Sequence, residues 1–139
     1  MKSLLILLAA IMPFVAQAHS ALVIAQPADI AHDGLAIGDG FNYASVQEAE
    51  QGAMARCLDQ YNNRGTHRNS TCTVVAHFDH QWLSVAMDPA DGTPGFGWGI
   101  AATEDEAVSQ AMDNCRRTAA GRGNYCVISF THLDSTPSN

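Results

Sequence analysis

One short passage is written twice in this chain. Ser45-Val46-Gln47-Glu48 and Thr103-Glu104-Asp105-Glu106 each set a hydroxyl residue three positions ahead of a glutamate, the pattern of a helix-opening capping box. Behind the first stand Ala49, Ala53, Met54 and Cys57. Behind the second, at one constant offset, stand Ala107, Ala111, Met112 and Cys115. Both sets recur at helical spacing. Each helix ends in a cysteine, is followed by a polar, glycine-containing loop, and gives way to a second cysteine that opens a β-rich run, Cys72-Thr-Val-Val or Cys126-Val-Ile. Whatever the first unit forms, the second must form too, so the repeat constrains the fold before any single residue is weighed.

The second helix is the better marked. Glu104, Asp105 and Glu106 crowd its first turn and Arg116 and Arg117 its end, each charge on the side the helix dipole favours. The first helix, Val46 to Gln60, has a narrow apolar face of small residues, which predicts close packing on a sheet. Strands are predicted at 21–25, 35–37, 72–78, 82–86, 95–99 and 126–130, with 72–78 and 82–86 joined as a hairpin across Asp79-His80-Gln81. Gly38-Asp39-Gly40 reads as a turn. Gly95-Phe96-Gly97-Trp98-Gly99 alternates aromatics with glycines, so a strand there shows Phe96 and Trp98 on one face and bare backbone on the other. Glycine in a strand marks close approach of another backbone or a ligand. The order is ββαβ twice. The expected fold is α+β: two pseudo-repeated ββαβ units, about 21–78 and 82–130, with two helices packed on one face of a largely antiparallel sheet.

Met1 to Ala18 reads as a secretory signal peptide: Lys2 at the front, an apolar core from Leu4 to Val15, and Ala16-Gln17-Ala18 as an A-x-A cleavage site. The apolar run is short for a membrane span, so stable insertion after cleavage is not expected. A single domain follows over 19–133, with 134–139 as a loose tail, in the periplasm or outside the cell. Four cysteines in an exported chain imply two disulfides, with three pairings open. The repeat selects Cys57–Cys72 and Cys115–Cys126. The formal charge is −7, and Lys2 is the only lysine. So acidic a chain argues against nucleic acid or an anionic membrane as partner and suits a basic protein partner or plain solubility.

Chemistry is sparsely marked. His77, Asp79 and His80 form the densest polar cluster, two imidazoles and a carboxylate that suit zinc or copper. The plainer reading is a hairpin end with solvated groups. His19 would head the mature chain, where its α-amine and imidazole together could chelate copper with a second histidine; an ordinary frayed terminus is the alternative. The sequence contains no nucleophile elbow, phosphate loop or dinucleotide fingerprint. Trp82, Phe96 and Trp98 are core residues or a partner-binding patch. Arg64 and Arg68, in the loop tethered by Cys57 and Cys72, could flank such a patch.

The ordered set Ser45, Glu48, Ala49, Ala53, Cys57, Cys72, Val74, Val75, Phe78, Ala86, Thr103, Glu106, Ala107, Ala111, Cys115, Cys126 and Val127 resembles the bacterial secreted family named domain of unknown function 4189. The resemblance runs from about Ala21 to Phe130. It implies two further cysteines, one just after the third strand and one near the C-terminus. This chain has Asp79-His80-Gln81-Trp82 and Thr131-His132-Leu133 there, so one disulfide of the family is absent. The resemblance implies no catalytic residues, and loosely an immunity or inhibitor role between bacteria. The expectation is therefore an exported, non-enzymatic module that binds another protein and needs no cofactor. The alternative is a periplasmic copper- or zinc-binding protein using His19, His77, Asp79 and His80.

Overall fold

The computed structural model describes residues 17–64 and 70–135. Nearly all of the expected signal peptide lies outside them. The elements run β1 (His19–Ala25), α1 (Ile30–Asp33), β2 (Ala36–Tyr43), α2 (Val46–Arg64), β3 (Thr73–Phe78), β4 (Trp82–Met87), β5 (Phe96–Ala101), α3 (Glu104–Thr118), a 3-10 turn (Gly123–Tyr125) and β6 (Val127–Leu133). The α+β class, the antiparallel pairing and both disulfides, Cys57–Cys72 and Cys115–Cys126, are as expected.

The expected single sheet is divided into two. One has the order β2-β1-β3 and the other β5-β4-β6. Each unit places its first strand in the centre, its second on one side and its third, beyond the helix, on the other. The repeat extends to irregularities. The register of β3 on β1 skips at Val75, and that of β6 on β4 skips at the matching Ser129. The expected hairpin between β3 and β4 is absent, because the Asp79–Gln81 link carries the chain from one sheet to the other. His80 turns it with a φ of 51°.

The two sheets face each other, and each helix covers the outer face of its own. Leu22, Ile24, Ile37 and Phe78 of the first sheet meet Leu83, Val85 and Phe96 of the second in the central core. Outside the first sheet, Ala49, Ala53 and Cys57 of α2 pack on Ala21, Val23, Ala25 and Ala36. Outside the second, Ala111 and Cys115 of α3 pack with Ala86. Thr103 and Ser45 cap their helices as predicted, accepting from the N–H groups of Glu106 and Glu48.

Small residues permit very close helix–sheet contact. A Cβ on Gly38 would lie 1.8 Å from the Ala53 carbonyl oxygen, and one on Gly97 would lie 2.3 Å from the Cys115 nitrogen. Gly38-Asp39-Gly40 is therefore the middle of β2 rather than a turn, and it matches Gly97-Trp98-Gly99 of β5. The approaching group is the helix backbone, one of the two possibilities that strand glycines raise.

At one end of the sandwich the halves are tied by a carboxylate. Asp134 is 1% exposed. It accepts from Ser20 Oγ at 2.7 Å, from the Asn42 N–H at 3.3 Å and from the His80 N–H at 3.0 Å. Asn42 and His80 are two of the three non-glycine residues with left-handed backbones among the described residues. The region expected to be a loose tail thus begins with a buried anchor, and Ser135 N–H donates to Asn42 Oδ1 at 2.8 Å.

Candidate interaction surface

Two three-stranded sheets have four edges, and an open edge is a row of backbone groups that another strand can pair with. The edges of β2 and β5 are closed by side chains from the helices above them. Gln60 of α2 accepts from the Ile37 N–H at 3.1 Å, and Arg56 donates to the Asp39 carbonyl at 2.5 Å. At the matching positions of α3, Thr118 accepts from the Phe96 N–H at 2.9 Å and Asn114 donates to the Trp98 carbonyl at 2.7 Å. Different side chains do the same work at repeated sites.

The edges of β3 and β6 receive no such side-chain caps among the described residues, and the helices lie mainly over the other strands of each sheet. Their surfaces differ. β3 carries Thr73 and His77 outward, with Val75 its exposed large apolar residue. In the turn before β6 Tyr125 is 59% exposed, and on β6 Val127 is 48%, Ile128 36% and Leu133 37%. Four of the seven exposed large hydrophobics among the described residues thus fall within nine consecutive positions. Val127 and Ile128 are consecutive in the β4 ladder and so flank the edge on its two faces, with Leu133 at the far end of the strand.

Beside β6 the two sheets part to leave a cleft of about 420 Å³. Ser129 and Phe130 of β6 form one side and Leu35, just before β2, with Ile37 and Asp39 of β2 another, with the loop after β4 across the mouth. That loop is braced. The Asp88 carboxylate, almost wholly covered, accepts from Arg122 Nε at 2.7 Å and from the Ala90 N–H at 3.0 Å. The Arg122 guanidinium lies 4.4 Å over the Tyr125 ring. The Arg122 hydrogen bond, helped by that from Ala90, holds the Asp88 carboxyl below its ordinary value of 3.8 against the opposing effect of burial. Arg122 thereby links the loop at the cleft mouth to the turn that enters β6.

The residues predicted as metal ligands are placed in separate pairs. His19 Nδ1 lies 2.9 Å from Asp79 Oδ1, joining the start of β1 to the end of β3. His77 Nε2 lies 2.5 Å from Glu50 Oε1 of α2. His80 contributes its backbone N–H to Asp134. Among the described residues, no three His, Cys, Asp or Glu side chains gather where one ion could hold them.

Of the aromatics predicted for partner contact, Phe96 is 3% exposed in the central core, where a partner cannot reach it. Trp98 is half-buried against the same core. Trp82 is half-buried and stands opposite the exposed Leu133 in register, at the border of the apolar surface. Arg64 ends α2, and its side chain, like all of Arg68, lies outside the described residues.

Sequence reading missed Tyr125, Val127, Ile128 and Leu133. Their signal was the repeat: the last strand is the counterpart of β3 and inherits its edge position, yet carries more large apolar residues.

No curated protein and no solved structure matches this chain. The profile of the domain of unknown function 4189 matches residues 28–132. That stretch takes in all three helices, both disulfides and all but the end of the β6 edge, and the chain belongs to the DUF4189 family.

Proposed function

We propose that this is an exported, disulfide-stapled, non-enzymatic module that binds another protein through β6, acting as an immunity or inhibitor type of protein. The observation that carries the reading is the exposure of Val127, Ile128 and Leu133 on an edge strand that no side chain caps among the described residues, with Tyr125 exposed in the turn that leads into it. The disulfides suit an oxidising compartment. No helix among the described residues is long and apolar enough to cross a membrane. The stapled frame supports the reading further, since a surface held rigid loses little entropy on binding.

The test is affinity capture from the periplasm and culture medium of the native cell, with wild type and Ile128→Glu side by side. A protein retained by wild type and lost with the variant is the expected outcome. Retention of the same protein by both, or of nothing by either, counts against the reading. Ile128 is 36% exposed and pairs with Ala86, so a thermal melt checks that the Ile128→Glu variant is still folded at the temperature of the capture.

A further inference from the structure

We infer that the free edge of β6 takes an extended, basic segment of the partner as an added strand, with one lysine or arginine of that segment entering the cleft between β6 and β2. This rests on the protein-binding reading and specifies its mode.

Three observations converge. First, β2 and β5 have edge groups occupied by Gln60, Arg56, Thr118 and Asn114, whereas among the described residues no side chain occupies the outer N–H and C=O groups of β6. Strand addition draws affinity from such groups and specificity from the pockets beside them. Second, the Ser129 bulge interrupts the β6 register, which disfavours indiscriminate edge pairing. A second copy of so acidic a chain is disfavoured also by its charge, which is −7 per chain.

Third, the cleft has the make-up that a long cationic side chain needs. Ile37, Met87 and Phe130 supply apolar walls for the stem, and Asp39, Asp88 and Asp91 bring carboxylates. No lysine or arginine lines it among the described residues. Asp39 and Asp88 are already matched by Arg56 and Arg122. Asp91 is exposed and has no ion pair among the described residues, so it is the group left to meet an incoming cation. An acidic or short polar side chain would find neither the charge nor the length it needs.

The experiment uses the disulfide-intact, isotope-labelled protein and two synthetic six-residue peptides, one alternating arginine with valine and one alternating glutamate with valine. Amide exchange and chemical shifts are followed by NMR. The arginine peptide is expected to bind saturably and slow exchange at alternate β6 amides, with β3 unchanged. Asp91→Asn should weaken it about threefold, and Ile128→Glu should abolish it. The inference is overturned if the glutamate peptide binds equally, if β3 is protected as much as β6, or if no β6 amide is slowed. If β6 stays unprotected while Ile128→Glu still abolishes partner capture, strand addition falls and the binding-module reading survives. If capture fails as well, both fall.

Discussion

The two halves follow one plan and leave different things open. Both set a three-stranded sheet under a helix, both bring helix backbone onto a Gly-x-Gly strand, and both close one sheet edge from the helix. The first half ends at β3, an edge with polar residues and the His77–Glu50 pair. The second ends at β6, where Val127, Ile128 and Leu133 are exposed beside Ser129 and His132, against Val75 alone among the large apolar residues of β3. Duplication has fixed the topology, and divergence at one repeated strand has produced the surface. The repeat thus separates residues that hold the frame from residues free to change.

The sharpest way to break the likeness is at the glycines. Gly38→Val and Gly97→Val each drive a side chain into helix backbone, and each should cost about 4 kcal/mol or more. Chemical denaturation should find the two losses similar; a tolerated substitution in one half would mean that its helix can lift. Next come the staples. Replacing Cys57 and Cys72 by serine, or Cys115 and Cys126, removes a loop closure worth about 3 kcal/mol in either half. The midpoints of the two variants should fall together.

Asp134 tests where the halves are unequal. Asp134→Ala takes the acceptor from the buried Ser20 hydroxyl and from the part-buried N–H groups of Asn42 and His80, and should cost about 2 kcal/mol. Amide exchange should quicken first at Asn42 and His80; unchanged exchange there would show that the carboxylate is not what holds those turns. The smallest effect is the pH dependence at Asp88. Its folded pKa lies below 3.8, so the Arg122 pair contributes stability above that value and loses it as pH falls through the folded pKa. Melting curves of wild type and Asp88→Asn should differ at neutral pH and converge in acid. Arg122 is 41% exposed on its side chain, so solvent screening keeps the difference modest.

Much of the frame was legible because duplication writes it twice. Caps, helix faces, strand order within each unit and sulfur pairing all follow from matching Ser45–Cys72 to Thr103–Cys126. Gly38-Asp39-Gly40 taken alone resembles a turn; set against Gly97-Trp98-Gly99, it belongs to a strand. Sheet number was not legible. Leu22, Leu83 and Val85 are equally suited to one broad sheet under two helices or to two sheets facing each other, and only long-range pairing decides. The Asp79–Gln81 link looked like a hairpin turn because nothing local records that its two strands part company.

The interaction surface was illegible for a related reason. Trp82, Phe96 and Trp98 are the aromatics that attract notice, but alternation on β5 turns Phe96 and Trp98 towards the central core. Val127 and Ile128 look like core residues in sequence and are exposed because β6 is an edge. The absent cysteines point to a residue passed over. The segments after β3 and at the end of β6, where the family resemblance implies two more, are neighbours here, with Trp82 opposite Leu133. The Asp134 N–H donates to the Gln81 carbonyl, and its carboxylate holds His80. Hydrogen bonds thus join these two segments in this chain.

Asp134 touches Ser20 near the front of the described fold, His80 at the junction of the halves, and Asn42 within the first half. The path through the two units therefore returns to its own beginning. A short linker from residue 135 to residue 19, with a fresh start cut at the junction, would yield a circular permutant in which the units exchange order while every strand pairing survives.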